Sequence, residues 1–134
     1  MIDDYAHHPQ ELSALIGSAK SLYPGKKCTV IFQPHLYTRT RDFAEGFADS
    51  LSLADEVVLL PIYPARELPI EGVESQMLAE KINTDRAYCL TKSEMLKWVE
   101  KQNDEGKLEL LITAGAGDID TLLPQIKNIL EIKK

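Results

Sequence analysis

Three stretches constrain the fold more than any others. Cys28–Phe32, Val57–Leu60 and Leu108–Thr113 are short, apolar and rich in β-branched residues. A strand with one wet face alternates apolar and polar residues; a continuous apolar run is buried on both faces, as in a parallel sheet covered by helices. The intervening segments carry the helices such a sheet needs. Leu12, Leu15, Ile16, Ala19 and Leu22 share one helical face, opened by Pro9 and closed near Pro24-Gly25. Phe43, Ala44, Phe47, Ala48 and Leu51 form a second stripe, and Val73, Met77, Leu78 and Ile82 a third. Met95, Leu96 and Val99 mark a fourth, capped by Thr91 or Ser93. Ile119, Leu122, Leu123, Ile126, Ile129 and Leu130 form the last. Ala87–Leu90 is a weaker strand, Ile2-Asp3 reads as the end of another, and Gln102–Lys107 as a polar loop. Strands alternating with helices predict one α/β domain over residues 1–134, a three-layer fold with a mostly parallel sheet flanked by helices. The first strand has almost nothing before it, so we expect a chain that starts mid-element and is part of something longer.

Composition narrows the partners. Fifteen Lys and Arg against 21 Asp and Glu give a net charge of −6, which argues against nucleic acid or an anionic membrane as the main partner. No apolar run approaches the roughly 20 residues of a membrane span. Cys28 and Cys89 both lie in apolar strand-like runs and read as reduced, buried thiols, with a cytoplasmic location as the default.

In open parallel sheets ligands bind outside the carboxyl ends of the strands. Three of the segments this rule selects are rich in chemistry. Asp3-Asp4-Tyr5-Ala6-His7-His8-Pro9 packs two carboxylates, a phenol and two imidazoles into seven positions. Asp3 and Asp4 point to opposite faces of a strand; one is free to face a ligand, such as the hydroxyls of a ribose, while the other pairs locally. His7 and His8 suit proton transfer, metal binding or a helix cap, but two adjacent histidines without a third ligand make a poor zinc site, so no metal is expected. Gln33–Arg41 opens a helix with Arg39 and Arg41 in its first turn, where the dipole disfavours cations by about 0.3–1 kcal/mol each. That placement suits a guanidinium kept to fork a carboxylate or phosphate; the competing reading is a solvated pair with Asp42 or Glu45. In Pro61–Glu67, Tyr63, Arg66 and Glu67 either line the cleft or, for Arg66 and Glu67, pair on the surface. Thr113-Ala114-Gly115-Ala116-Gly117-Asp118 looks like a phosphate loop, but Asp120 stands where a third glycine belongs. Asp118 offers its own carboxylate as a helix cap, so tight backbone packing is the better reading. The chain has neither a P-loop nor a nucleophile elbow.

Taken in order, Asp3–Pro9, Phe32-Gln33-Pro34-His35 with Tyr37–Arg41, Ile62–Glu67 and Gly115-Ala116-Gly117 resemble the C-terminal domain of the Mur ligases of bacterial peptidoglycan synthesis, in the branch that adds L-alanine to UDP-N-acetylmuramate. The resemblance covers essentially the whole chain. It implies a Rossmann-like domain that closes over a central ATPase domain, with a UDP-binding domain before that, both outside this chain. It implies an ATP-dependent amide-forming ligase in the bacterial cytoplasm, using ATP with magnesium and passing through an acyl phosphate, with this domain inactive and binding no cofactor alone. Residue by residue, it implies that Asp4 binds the ATP ribose, that Tyr5, His35 and Arg39 form the L-alanine pocket, and that His7 lies near the reacting phosphate and amine. Leu36 departs from the pattern, since relatives often carry Arg there. Two alternatives stand beside it: the related ligase that recycles murein tripeptide, and a stand-alone flavodoxin-like binding module.

Overall fold

A computed structural model describes residues 1–132. Five strands form one sheet: β1 (Ile2–Asp4), β2 (Cys28–Phe32), β3 (Glu56–Leu59), β4 (Ala87–Cys89) and β5 (Leu110–Ala114). Their spatial order is β1-β5-β2-β3-β4, and every pairing is parallel. The helices are α1 (Pro9–Leu22), α2 (Tyr37–Asp42), α3 (Ala44–Leu51), α4 (Ser75–Lys81), α5 (Lys92–Asp104) and α6 (Leu123–Ile132), the last preceded by a 3-10 turn at Asp118–Leu122.

Two apolar clusters show the three layers. Helices α1, α3 and α4 bury Leu12, Ile16, Phe47, Leu51 and Leu78 against Val30, Phe32, Val57, Leu59 and Ile112. On the opposite face α5 and α6 bury Met95, Val99 and Ile126 against Ile31, Val58, Leu60 and Leu111. Neighbouring residues of one strand thus serve opposite layers, which is why the runs are mostly apolar at odd and even positions alike; the polar exceptions inside β2 and β5, Thr29 and Thr113, bond through their hydroxyls to Glu56 and Asp3. Full burial of each such side chain stabilises by roughly 1.5–3 kcal/mol.

The strands end level. Asp4, Ala114, Phe32, Leu59 and Cys89 occupy one row across the sheet. Beyond that row, the chain leaves β1 and β2 toward the α1–α3 layer and leaves β5, between them, toward the α6 layer. This divergence is the topological switch point at which open α/β sheets bind ligands.

Several expectations need correction. The helix opened by Gln33–Arg41 does not run on into the Phe43–Leu51 stripe: α2 and α3 are separate, broken at Phe43 (φ −114°, ψ 21°), and Phe43 is 44% exposed rather than in the core stripe. Leu22, the last residue of α1, is also exposed rather than in its core stripe. The Ile119–Leu123 stretch begins as the 3-10 turn. The expected loop at Gln102 starts later, since α5 runs to Asp104. Thr91 is the α5 cap, accepting from the Glu94 N–H at 3.2 Å.

Candidate functional site

The first wall of the site is the turn between β1 and α1. Ala6 is buried and anchors it. The Glu11 carboxylate reaches back and accepts the N–H groups of His7 and His8, each at 3.1 Å. Those bonds hold the Glu11 carboxyl below its ordinary range. The His7 Nδ1 lies 3.0 Å from the Tyr5 carbonyl oxygen. A carbonyl only accepts, so the proton of a neutral His7 sits on Nδ1 and its Nε2 carries the lone pair. His8 stands at the cap position of α1 and meets Phe43 edge-on at 5.5 Å. The Ser50 hydroxyl donates to the Pro9 carbonyl at 2.7 Å, tying this turn to α3. Asp3 and Asp4 divide as strand alternation requires. Asp3 accepts from the Thr113 hydroxyl at 2.9 Å, while the Asp4 carboxylate is exposed and accepts no hydrogen bond within the domain among the described residues.

The second wall follows β2. His35 and Tyr63 form a lone parallel bridge, made by Leu36 N–H to the Tyr63 carbonyl and Tyr63 N–H to the Pro34 carbonyl, both 2.8 Å. Their rings stack, 5.6 Å apart and 12° from parallel. On α2, Arg39 Nη1 donates to His35 Nδ1 at 2.8 Å. Arginine cannot accept, so a neutral His35 carries its proton on Nε2, the reverse of His7. Burial first, then the charges of Arg39 and His7, hold the His35 imidazole below its ordinary pKa. Leu36, between them, sits at φ +72°. A non-glycine residue there costs of order 1–3 kcal/mol and tends to occur at functional sites. Its carbonyl is fixed by the Thr40 N–H at 3.1 Å and the Thr40 hydroxyl at 2.8 Å.

The third wall is the loop after β5, and here close packing decides. A Cβ on Gly115 would meet the Gln33 carbonyl oxygen at 2.8 Å, and one on Gly117 would meet Gln33 Oε1 and Tyr63 Cβ at 2.6 Å. Gln33, 2% exposed, donates to Asp118 Oδ1 at 2.7 Å and accepts the Ile119 N–H at 2.9 Å. Lys92 pairs with the other Asp118 oxygen. Burial pushes the Asp118 carboxyl up, but the bonds from Lys92 and Gln33 outweigh it and keep it below the ordinary range. The loop is therefore packed against Gln33, as expected for its glycines. The expected role of Asp118 as the cap of the following turn is corrected: Gln33 supplies the acceptor, and Asp118 holds Gln33.

The structure brings Asp4, Tyr5, His7, His35 and Arg39 to the same edge of the sheet. Asp4 and Phe32 are in register, two strands apart, a spacing of about 9.5 Å. Arg39 and His35 are bonded, whereas Tyr5 stands apart with its side chain exposed. The electrostatic reasoning for the arginines is corrected. Helix α2 has six residues, so Arg41 falls in its last turn, where the dipole favours cations, while Arg39, third of the six, lies near the middle and the dipole decides nothing for it. Arg41 pairs on the surface with Asp42 at 2.8 Å, the competing reading given above. Glu67 does not pair with Arg66; it accepts the Thr38 N–H at 3.1 Å and the Thr38 hydroxyl at 2.5 Å. Gln33, Thr38 and Lys92 were not singled out from sequence. The one available signal was a glutamine directly after a mostly apolar strand, where a buried amide must find partners. Among the described residues, no group of three His, Cys, Asp or Glu side chains could hold a metal ion, and no helix is long and apolar enough to cross a membrane.

A level parallel sheet between two helical layers, with histidines, an arginine and a free carboxylate at its carboxyl edge, defines a Rossmann-like α/β domain. Residues 1–117 match the family model described as Mur ligase, glutamate ligase domain. The chain belongs to the Mur ligase family. It is 54% identical over 130 residues to a UDP-N-acetylmuramate–L-alanine ligase of Parabacteroides distasonis, covering 97% of this chain and 27% of that protein. It is 48% identical over 129 residues to the ligase of the same name from Flavobacterium johnsoniae, covering 96% of this chain and 28% of that protein. The chain thus spans a little over a quarter of the length of these relatives. Among solved structures, the UDP-N-acetylmuramate–alanine ligase of Thermotoga maritima is similar, with TM-score 0.61 and 27% identity over 96% of this chain and 25% of that one. A murein peptide ligase of Psychrobacter arcticus shares the fold, with TM-score 0.67 and 17% identity over 94% of this chain and 26% of that one.

Proposed function

We propose that this chain is the C-terminal domain of a bacterial cytoplasmic ligase that joins L-alanine to UDP-N-acetylmuramate at the expense of ATP. The observation that carries the reading is the identity of about half of its residues, over 96–97% of its length, to ligases of that name. The UDP-binding and ATPase domains, with the magnesium site and the phosphate-binding part of the ATP site, belong to the part of the protein outside this chain. This domain alone turns over no ATP.

The edge residues suit the amino-acid half of such a reaction. Arg39 uses one N–H on His35 and keeps its Nε–Nη2 edge free to fork the alanine carboxylate. His35 presents an Nε2 donor beside it, and Tyr5 presents an exposed phenol. Amide formation needs alanine as a free amine, so the ammonium must lose a proton. His7, with Nδ1 turned to the Tyr5 carbonyl, has an Nε2 lone pair to accept that proton. ATP supplies the phosphoryl group that activates the sugar carboxyl. The Asp4 carboxylate, without an internal partner, fits the two hydroxyls of its ribose. Closure of the domain over the reacting groups would exclude water that competes with the amine.

The test is phosphate release by the full-length protein given UDP-N-acetylmuramate, ATP, magnesium and either L-alanine or murein tripeptide. Turnover that depends on L-alanine is expected. Turnover with tripeptide alone would replace this reading by the recycling ligase. ATP hydrolysis by the 134-residue chain alone would overturn the division of labour.

A further inference from the structure

We propose that Glu67, which lies outside the candidate binding set, is the positioning residue for Arg39 and His35: its carboxylate ties the start of α2 to the loop after β3 and so sets where the guanidinium stands against the imidazole. The consequence for alanine binding rests on the function proposed above; the geometric claim does not.

Helix α2 needs an outside support. It has six residues, and a helix of that length is not stable alone. Its first N–H groups have no intrahelical partner. Leu36, at the cap position, has no side chain able to accept them, and its backbone is at φ +72°. Glu67 fills the gap from 29 residues away, with one carboxylate oxygen on the Thr38 N–H at 3.1 Å and the other on the Thr38 hydroxyl at 2.5 Å. Hydrogen bonds to a charged acceptor are about twice as strong as neutral ones. Arg39 is the next residue.

The loop that carries Glu67 also holds His35. Tyr63 stacks on the ring and makes the two backbone bonds to Pro34 and Leu36. The segment is stiff: Pro61 and Pro64 fix their φ angles, and the Glu67 N–H closes a turn on the Pro64 carbonyl at 2.9 Å. One loop therefore grips the imidazole through Tyr63 and the guanidinium's helix through Glu67. The Arg39–His35 contact of 2.8 Å joins the two held parts. Glu67 does not bond to Arg39; it acts through Thr38.

Two measurements test this. In the 134-residue chain, nitrogen NMR of the ring reads the tautomer of His35. The wild type should show Nδ1 as acceptor, and Glu67→Ala should shift His35 toward mixed tautomers as Arg39 is released. In the full-length ligase, Glu67→Ala should raise KM for L-alanine by ten- to a hundred-fold, the loss expected when the charge-assisted contact from Arg39 is no longer held in place. KM for ATP and kcat should stay within about two-fold. A residue that only supported the fold would lower thermal stability without this split. Glu67→Gln keeps the shape but only one acceptor, and Thr38→Val removes only the hydroxyl bond; if Glu67→Ala fails to fold, these two decide. An unchanged His35 spectrum with an unchanged KM for L-alanine would overturn the proposal. If the wild-type ligase does not use L-alanine, the functional reading falls, and the His35 spectrum alone decides the role of Glu67.

Discussion

Replacing Gly117 with alanine should destabilise the domain by about 2–4 kcal/mol. Its φ is −90°, so the demand for glycine is one of space rather than backbone conformation. The new Cβ would lie 2.6 Å from Gln33 Oε1, 2.6 Å from Tyr63 Cβ and 2.7 Å from Tyr63 Cγ, against 3.4 Å or more for ordinary contact. Something must move by about 0.8 Å, and neither neighbour can move freely. Gln33 Oε1 holds the Ile119 N–H and its amide holds Asp118. Tyr63 is fixed at its N–H and its carbonyl. Overpacking of this kind costs about 1–3 kcal/mol, and a strained or lost bond to a buried amide adds about 1 kcal/mol. Urea unfolding of the 134-residue chain measures it. With a slope of roughly 1–3 kcal/mol per molar, the midpoint should fall by about 1–2 M. Gly17→Ala is the matched control. It lies in α1 with nothing within 4 Å of the added Cβ, and should stabilise by about 0.5–1 kcal/mol through helix propensity. A Gly117→Ala midpoint within error of wild type would refute the claim that the β5 loop is closed against Gln33 and Tyr63.

Two further outcomes follow from the same contacts. Asp118→Ala leaves the Gln33 amide buried without its acceptor and should cost about 1–3 kcal/mol; Asp118→Asn keeps an acceptor and should cost less, and urea midpoints of the two variants check the order. Burial pushes the Cys28 thiol up to about 11, with the Asp55 carboxylate adding to the effect. The unfolded chain then loses this proton before the folded one. Stability from this group is complete below pH 9 and should fall by up to about 1.4 kcal/mol per pH unit between pH 9 and 11, levelling off above. Cys28→Ala should lack that alkaline slope in paired unfolding curves.

The layers of the fold were legible because Cys28–Phe32 and Leu110–Ala114 are covered on both faces, and two-sided burial leaves its mark in consecutive residues. The rule that ligands lie beyond the strand ends then located His7, His35 and Arg39 on one edge. The break at Phe43 was not legible, since its apolar side chain continues the stripe of α3 while its backbone leaves helical geometry. The dipole expectation failed with it for Arg41, which lies at the end of so short a helix, and lost its force for Arg39 near the middle. Nor could the sequence disclose that Glu67 caps α2 or that Gln33 bonds Asp118. Those partners are 29 and 85 residues apart, and no local period encodes a contact between two loops that meet only after the sheet has formed.

Arg39 bears most directly on the central claim, that this edge grips the carboxylate of the incoming amino acid. In the full-length ligase, Arg39→Ala removes a charge-assisted contact worth about 1.5–3 kcal/mol. KM for L-alanine should therefore rise about 10- to 150-fold while KM for ATP stays within about two-fold. An equal rise in both constants, or none in that for L-alanine, would contradict the account.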